Sequence, residues 1–143
     1  MSLLLKIKKL NLNAKIPTYA HPGDAGLDLF ALEETTIAVG DRALIKTGIA
    51  MEIPDGYVGL IWDKSGLASK NGLKTMAGVV DSGYRGEVMV CLVNLSEQRY
   101  VFAAGDKIAQ MIIQKKEFFE VEEAAELDQN TSRGEDGFGS TGK

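Results

Sequence analysis

At 143 residues, 45% of them hydrophobic, the chain has the length of about one domain and enough apolar material for a core. Sixteen basic against twenty acidic residues leave a formal charge of −4. No basic tract stands out, which argues against nucleic acid as a partner, because a duplex needs clustered Lys and Arg on its phosphates. A small polyanion stays open, since backbone amides and a metal ion can hold one locally. Cys91 is the only cysteine and His21 the only histidine, so an intrachain disulfide and a His-rich zinc site are excluded. No apolar run reaches membrane-spanning length, and Met1–Lys6 holds too short an apolar stretch for a signal peptide. The expectation is a soluble cytoplasmic protein with no membrane partner.

Sixteen glycines and short apolar runs predict many brief strands joined by turns. Leu5–Lys8 alternates as a half-buried strand does. From Thr18, a loop containing Pro22, Gly23 and Gly26 feeds a short strand, Leu27–Phe30. Thr35–Val39 is a strand closed by Gly40-Asp41, and Ala43–Ile53 alternates in part until the turn Pro54-Asp55-Gly56. Tyr57–Trp62 is another strand, followed by a polar Gly/Ser loop from Asp63 to Lys74. Val79-Val80, a Gly-containing turn and Val88–Val93 read as a hairpin, with Cys91 a small core residue of its second strand. Arg99–Phe102 is short, Ala104-Gly105-Asp106 turns, and Ile108–Ile113 is a last core strand. Glu120–Asp128 is compatible with either a short helix or an edge strand. From Asp128 the chain is polar and Gly/Ser-rich, the composition of a flexible tail. Strands spaced by roughly ten residues with turns between them predict a β-sandwich or barrel.

Several stretches carry chemistry-bearing residues. Gly78–Glu87 packs a carboxylate, a phenol and a guanidinium (Asp81, Tyr84, Arg85) between glycines. Asp63-Lys64-Ser65-Gly66 sets a cation ahead of a Ser/Gly loop, suited to a phosphate or to solvent. Asp28 is one acid among apolar neighbours in Ala25–Ala31, and Gln110 is one amide inside an apolar strand. The tail segment Gly137-Phe138-Gly139-Ser140-Thr141-Gly142 fits G-x-G-x-x-G, but both nucleotide motifs of that form need a strand before and a helix after. Its glycine amides and hydroxyls still suit phosphate, Phe138 suits stacking on a flat ring, and Arg133 suits pairing with an anion.

Taken in order and spacing, five of these stretches resemble the five motifs of the trimeric dUTP pyrophosphatases, over about Ala25 to Gly142. They are Ala25–Ala31, Lys64–Ala68, Gly78–Glu87, Gly105–Gln110, and Arg133-Gly134 with Gly137–Gly142. The resemblance implies an all-β, jelly-roll-like barrel over residues 1–127, a homotrimer with shared sites, and an arm (128–143) that closes over a neighbour's site. It implies Mg²⁺ as cofactor and hydrolysis of dUTP to dUMP and pyrophosphate. Asp81 would hold the attacking water and Asp28 would meet Mg²⁺ through its water shell. Lys64, Ser65, Gly66 and Gln110 would bind the phosphate chain. Gly78 would belong to the base-reading backbone, and Tyr84 would pack under the deoxyribose. Phe138 would stack on uracil, with Arg133, Gly139, Ser140 and Thr141 closing on the phosphates.

The sequence departs from the family pattern at Asp63-Lys64, where Pro-Arg is usual, and at Thr75, Gly83 and Asp136. Lys keeps the charge of Arg but loses its bidentate fork. The rivals are a dCTP deaminase on the same barrel, which the Asp81–Tyr84 form disfavours, and a nucleotide-binding regulatory trimer, which needs neither Asp81 nor the tail.

Overall fold

The computed structural model describes residues 3–142, which form twelve strands and one short helix. In chain order the strands are β1 (Lys6–Lys9), β2 (Thr18–Tyr19), β3 (Gly26–Phe30), β4 (Thr35–Ile37), β5 (Arg42–Lys46), β6 (Ile49–Glu52) and β7 (Tyr57–Trp62). After helix α1 (Ser65–Asn71) come β8 (Leu73–Met76), β9 (Val79–Asp81), β10 (Met89–Asn94), β11 (Tyr100–Phe102) and β12 (Lys107–Lys115). They build a five-stranded sheet, β2-β3-β12-β7-β9, a three-stranded sheet, β5-β10-β8, and two ribbons, β1-β6 and β11-β4. All pairings are antiparallel.

Alternation explains the packing. Along β10, Val90, Leu92 and Asn94 are buried while Met89, Cys91 and Val93 lie on the other face, partly covered. The inward residues of all the sheets meet in one core, with Leu29, Ile37, Ile45, Ile49, Leu92, Phe102, Ile108 and Met111 fully buried. The nine-residue β12 is the axis of the large sheet, paired with β3 on one side and β7 on the other.

Five local expectations change. The loop read over Asp63–Lys74 contains α1 and the start of β8. Two helical turns are too short to show a period, although Gly72 ends them visibly. Its left-handed backbone (φ 64°) lets its N–H donate to the carbonyls of Ala68 and Leu67. The alternating run Ala43–Ile53 is two strands, broken at Gly48, whose φ of 70° favours glycine. The apparent hairpin around Asp81 is not one. β9 pairs with β7 and β10 with β5 and β8, so the segment crosses from one sheet to the other. Cys91 is half-buried on the outer face rather than in the core. Glu120–Asp128 adopts neither helix nor strand.

Asn94 is the polar residue at the centre of this packing, at 0% exposure. Its Nδ2 donates to the carbonyls of Ile37 (3.0 Å) and Gln98 (2.7 Å), and its Oδ1 accepts from the Ser96 N–H (3.0 Å) and hydroxyl (2.7 Å). It thereby ties the end of β10 to β4 and to the turn before β11. Asn94→Ala strands the buried Ile37 carbonyl, frees the turn before β11 and should cost about 2–3 kcal/mol in urea unfolding. A loss below about 1 kcal/mol would mean that water replaces the side chain without penalty.

Candidate functional site

Two clusters of chemistry-bearing residues form, one on the outer face of the five-stranded sheet and one at its β9 edge, where it meets the three-stranded sheet. The first grows from the register of the large sheet's central strands. Asp28 on β3 stands opposite Gln110 on β12, which stands opposite Trp62 on β7. Gly26, without a side chain, leaves room for the Gln110 carboxamide to lie over it. Gln110 Nε2 donates to the Asp63 carbonyl at 2.8 Å, fixing the strand to the loop that leads into α1. Asp63 holds that loop further: its carboxylate accepts from the Thr75 N–H at 2.6 Å and from Lys74 Nζ at 2.7 Å. Lys64, next in sequence, donates to Asp28 Oδ1 at 2.6 Å, and Ser65 and Gly66 follow, exposed, at the start of α1.

Asp28 is 1% exposed and paired with two cations, Lys64 and Lys107, the latter with Nζ 2.8 Å from Oδ2. Burial pushes its pKa up, but the contacts with Lys107 and Lys64 outweigh that and leave the carboxyl below its ordinary value. Burial also opposes ionisation of Asp63, and there Lys74 and Thr75 prevail in the same way. Both acids are therefore carboxylates at neutral pH, and the cluster presents cations to solvent. Lys107, Lys74 and Asp63 received no role from the sequence. Lys107 lay within a recognised stretch, but nothing local revealed which face of β12 it would occupy.

The second cluster surrounds a cavity of about 250 Å³ lined by Gly78, Val79, Val80, Asp81, Tyr84 and Glu87, with Leu44, Ile61, Val88 and Met89. Asp81 ends β9 with its side chain exposed. Tyr84 folds back over Gly86, where a Cβ would overlap its ring, and its hydroxyl donates to the Glu87 carbonyl at 2.9 Å. Arg85 fastens the same turn by donating to the carbonyls of Ser82 (2.6 Å) and Tyr84 (3.0 Å). Before β9, Ala77 and Gly78 both have positive φ, 59° and 112°. At Gly78 a side chain would meet Ile61 at 2.9 Å, so the close backbone approach requires glycine. β9 is an edge strand, paired only with β7, and turns backbone groups outward beside the cavity.

The clusters are far apart within one chain. Asp28 shares a row with Trp62 of β7, and Asp81 shares a row with Val58. Four residues along the strand and three strand spacings across put the backbones of Asp28 and Asp81 about 19 Å apart along the sheet. The third group of expected residues joins neither cluster. Arg133, Phe138, Gly139, Ser140 and Thr141 are exposed, and the hydrogen bonds of the described tail residues are local, such as Arg133 Nε to the Asp136 carbonyl at 2.9 Å.

The dUTPase family model matches residues 12–142. The chain belongs to the dUTPase family. It is 47% identical to the deoxyuridine 5'-triphosphate nucleotidohydrolase of Corynebacterium glutamicum, over 97% of this chain and 95% of that one. It is 45% identical to the enzyme of the same name from Nocardia farcinica, over 96% and 85%. Among solved structures, a mutant of the Staphylococcus bacteriophage 80alpha dUTPase with dUpNHpp superposes with a TM-score of 0.93 at 31% identity, covering 99% of this chain and 100% of that one. A mutant dUTPase from phage phi11 of S. aureus, described as revealing the coordination of a structural Mg(II) ion, superposes with a TM-score of 0.81 at 30% identity, covering 87% and 99%. The all-β, jelly-roll-like architecture is thus that of the dUTPases.

Among the described residues no group of three or more His, Cys, Asp or Glu side chains could hold an ion. Asp28 instead offers one buried oxygen, Oδ2, which lacks an aligned hydrogen-bond donor and lies 2.8 Å from Lys107 Nζ, so the water of a hydrated cation would reach it as Lys107 moves aside. A Cβ at position 26 would displace Gln110, so Gly26→Ala should lower kcat/KM for dUTP by roughly tenfold through misplaced binding groups. Retained folding by near-ultraviolet circular dichroism separates this effect from unfolding, and unchanged kinetics would remove Gln110 from the site.

Proposed function

We propose that the chain is a dUTP nucleotidohydrolase that works as a homotrimer, with Mg²⁺ carried on the substrate and each site assembled from more than one subunit. The observation that carries the shared site is the separation of the two clusters. One holds the cations and amide for a phosphate chain, the other a carboxylate beside a nucleoside-sized cavity, and about 19 Å is too far for one nucleotide to span. A neighbouring copy that sets its Asp81 cavity against this chain's Asp28–Lys64–Gln110 cluster supplies the missing half. The outer face of the small sheet supports such a contact. There Cys91 stands between Leu44 and Met76, which are 60% and 42% exposed, in an apolar row. A three-fold arrangement closes a head-to-tail contact of this kind.

In the assembled site, uracil and deoxyribose occupy the Gly78–Tyr84 cavity. The outward backbone of β9 reads the base, and the Tyr84 ring, held by its bond to Glu87, lies beneath the sugar and leaves no room for a 2′-hydroxyl. Lys64, Ser65, Gly66 and Gln110 bind the phosphates. Asp81 accepts a proton from water as the water oxygen bonds to the α-phosphorus. The bond from that phosphorus to the bridging oxygen breaks, and pyrophosphate leaves with the electron pair. Mg²⁺, when bound, neutralises charge on the phosphate chain and orients the α-phosphoryl group. Asp28 would meet its water shell. The arm from residue 128 orders over the site, with Phe138 on the uracil and Arg133, Gly139, Ser140 and Thr141 on the phosphates.

Pyrophosphate release should be rapid with dUTP and Mg²⁺ and slow with UTP, dCTP and dTTP. Asp81→Asn should lower kcat on dUTP by about 10²-fold or more with KM little changed. Unchanged turnover would dismiss Asp81 as the base. Ammonia from dCTP would favour the deaminase. A second experiment tests the shared site and the arm together. Asp81→Asn chains and chains ending at residue 129, each inactive alone, should regain activity when refolded as a mixture, because some mixed sites combine an intact Asp81 with an intact arm. No recovery, with mixed oligomers demonstrated, would place Asp81 and the arm of each site on one subunit.

A further inference from the structure

The mechanism uses Asp28 and Lys64 separately and leaves Lys107 without a task. In the structure the three form one unit. Lys64 donates to Oδ1 at 2.6 Å, whereas Lys107 Nζ lies 2.8 Å from Oδ2 but off the line of a hydrogen bond. Lys107 owes its place to a β-bulge at the start of β12. Lys107 pairs with Phe30 and Ala109 with Leu29, so Ile108 is the extra residue. Phe30 and Asp28 lie two apart on one face of β3, and the bulge brings Lys107 onto that face. In unbroken register Ile108 would stand there and Lys107 would point into the core. The bulge thus buries Ile108 and Ala109 while giving Asp28 a second ammonium group.

The cations are the outer members of the group. The side chains of Lys64 and Lys107 are 27% and 49% exposed, and that of Asp28 is 2%. A phosphate chain arriving from solvent meets the ammonium groups first and competes with Asp28 for them. Drawing them away leaves a buried carboxylate unneutralised, which opposes binding. A divalent cation on the phosphate chain removes that opposition, because one of its water ligands can donate to Oδ2. We propose that Asp28 makes the phosphate subsite selective for a metal-complexed polyphosphate. It holds Lys64 and Lys107 in an ion-paired latch that a bare phosphate chain opens poorly and one carrying a divalent cation opens readily. Lys107 is then a second phosphate-binding cation and Asp28 its positioning residue. The inference rests on the dUTPase reading of the site.

The test is calorimetric titration of the full chain with α,β-imido-dUTP, in excess Mg²⁺ and in EDTA. The unsubstituted protein should bind at least about tenfold tighter with Mg²⁺. In Asp28→Asn the Mg²⁺-free affinity should rise, bringing the two values within roughly threefold of each other. If Asp28 served the metal alone, the substitution would weaken binding in Mg²⁺ and leave the EDTA value unchanged, and that result overturns the latch. Absence of binding by the unsubstituted protein in both conditions overturns the dUTPase reading with it. Because Asp28 is buried, a second measurement uses the unsubstituted chain: ¹⁵N NMR of the lysine ammonium groups, with Lys107 assigned from Lys107→Arg. The Lys107 signal should shift on adding the Mg²⁺ complex of the analogue. A Lys107 signal that does not respond also overturns the proposal.

Discussion

A carboxylate removed from water must lose its charge or keep cations beside it, and Asp28 keeps two. Breaking a buried ion pair by deleting one partner costs on the order of 3–5 kcal/mol, so this contact constrains every segment that contributes to it. Asp28 comes from β3, Lys64 from the loop between β7 and α1, and Lys107 from the bulged start of β12. The same loop is held by Asp63, through Thr75 and Lys74 on β8 and through Gln110 on β12. Four parts of the chain are therefore locked around one anion, and the cations that neutralise it are the groups turned to solvent. Hydrophobic side chains of similar volume would stabilise the barrel as well or better, so the arrangement is best understood through binding rather than stability.

The strands that carry a strong alternating or continuous apolar pattern, such as β7, β10 and the centre of β12, were legible from sequence, as was the turn Pro54-Asp55-Gly56. What failed was partnership. Val79–Asp81 and Met89–Asn94 carry correct strand signals, and the turn between them looks local. Their partners are nonetheless chosen by a core that takes Val80 from one sheet and Val90 and Leu92 from another. Turn residues report where a chain bends and say little about which strand it meets next. Helix α1 escaped for a different reason: seven residues hold too few turns for a period to emerge.

At the site, the chemical types were legible and the spatial grouping was not. Asp28, Lys64 and Gln110 were separately weak signals that became a cluster only through the register of β3, β12 and β7. Lys107 was hidden by the bulge, because simple alternation from Gln110 assigns it to the core face. Its ammonium reaches Asp28 because Ile108 adds one residue to the strand. Asp63 departs from the family pattern in type yet makes one of the densest sets of hydrogen bonds in the site, to Thr75, Lys74 and Gln110. The departure at Lys64 reads differently beside it. A guanidinium would offer a planar fork to phosphate, whereas an ammonium is a compact charge that fits the Asp28 oxygen beside a second lysine.

Two properties that look like liabilities of the single barrel have one resolution. An edge strand with free backbone groups and an apolar row at Leu44, Cys91 and Met76 invite association. In the proposed site the Asp81 cavity and the Asp28 cluster would each be one half, set apart by the length of β7. A second copy placed against the β9 side would cover the apolar surface and bring a foreign phosphate subsite to the local cavity in the same step. Each such contact would be head to tail, so two copies would leave one cavity and one phosphate subsite unmatched, whereas a third would close the ring and leave none. Trimerisation would then be a condition for binding one nucleotide at all, and the exposed arm, with Phe138 and only local hydrogen bonds among the described residues, would find its surface only on such an assembly.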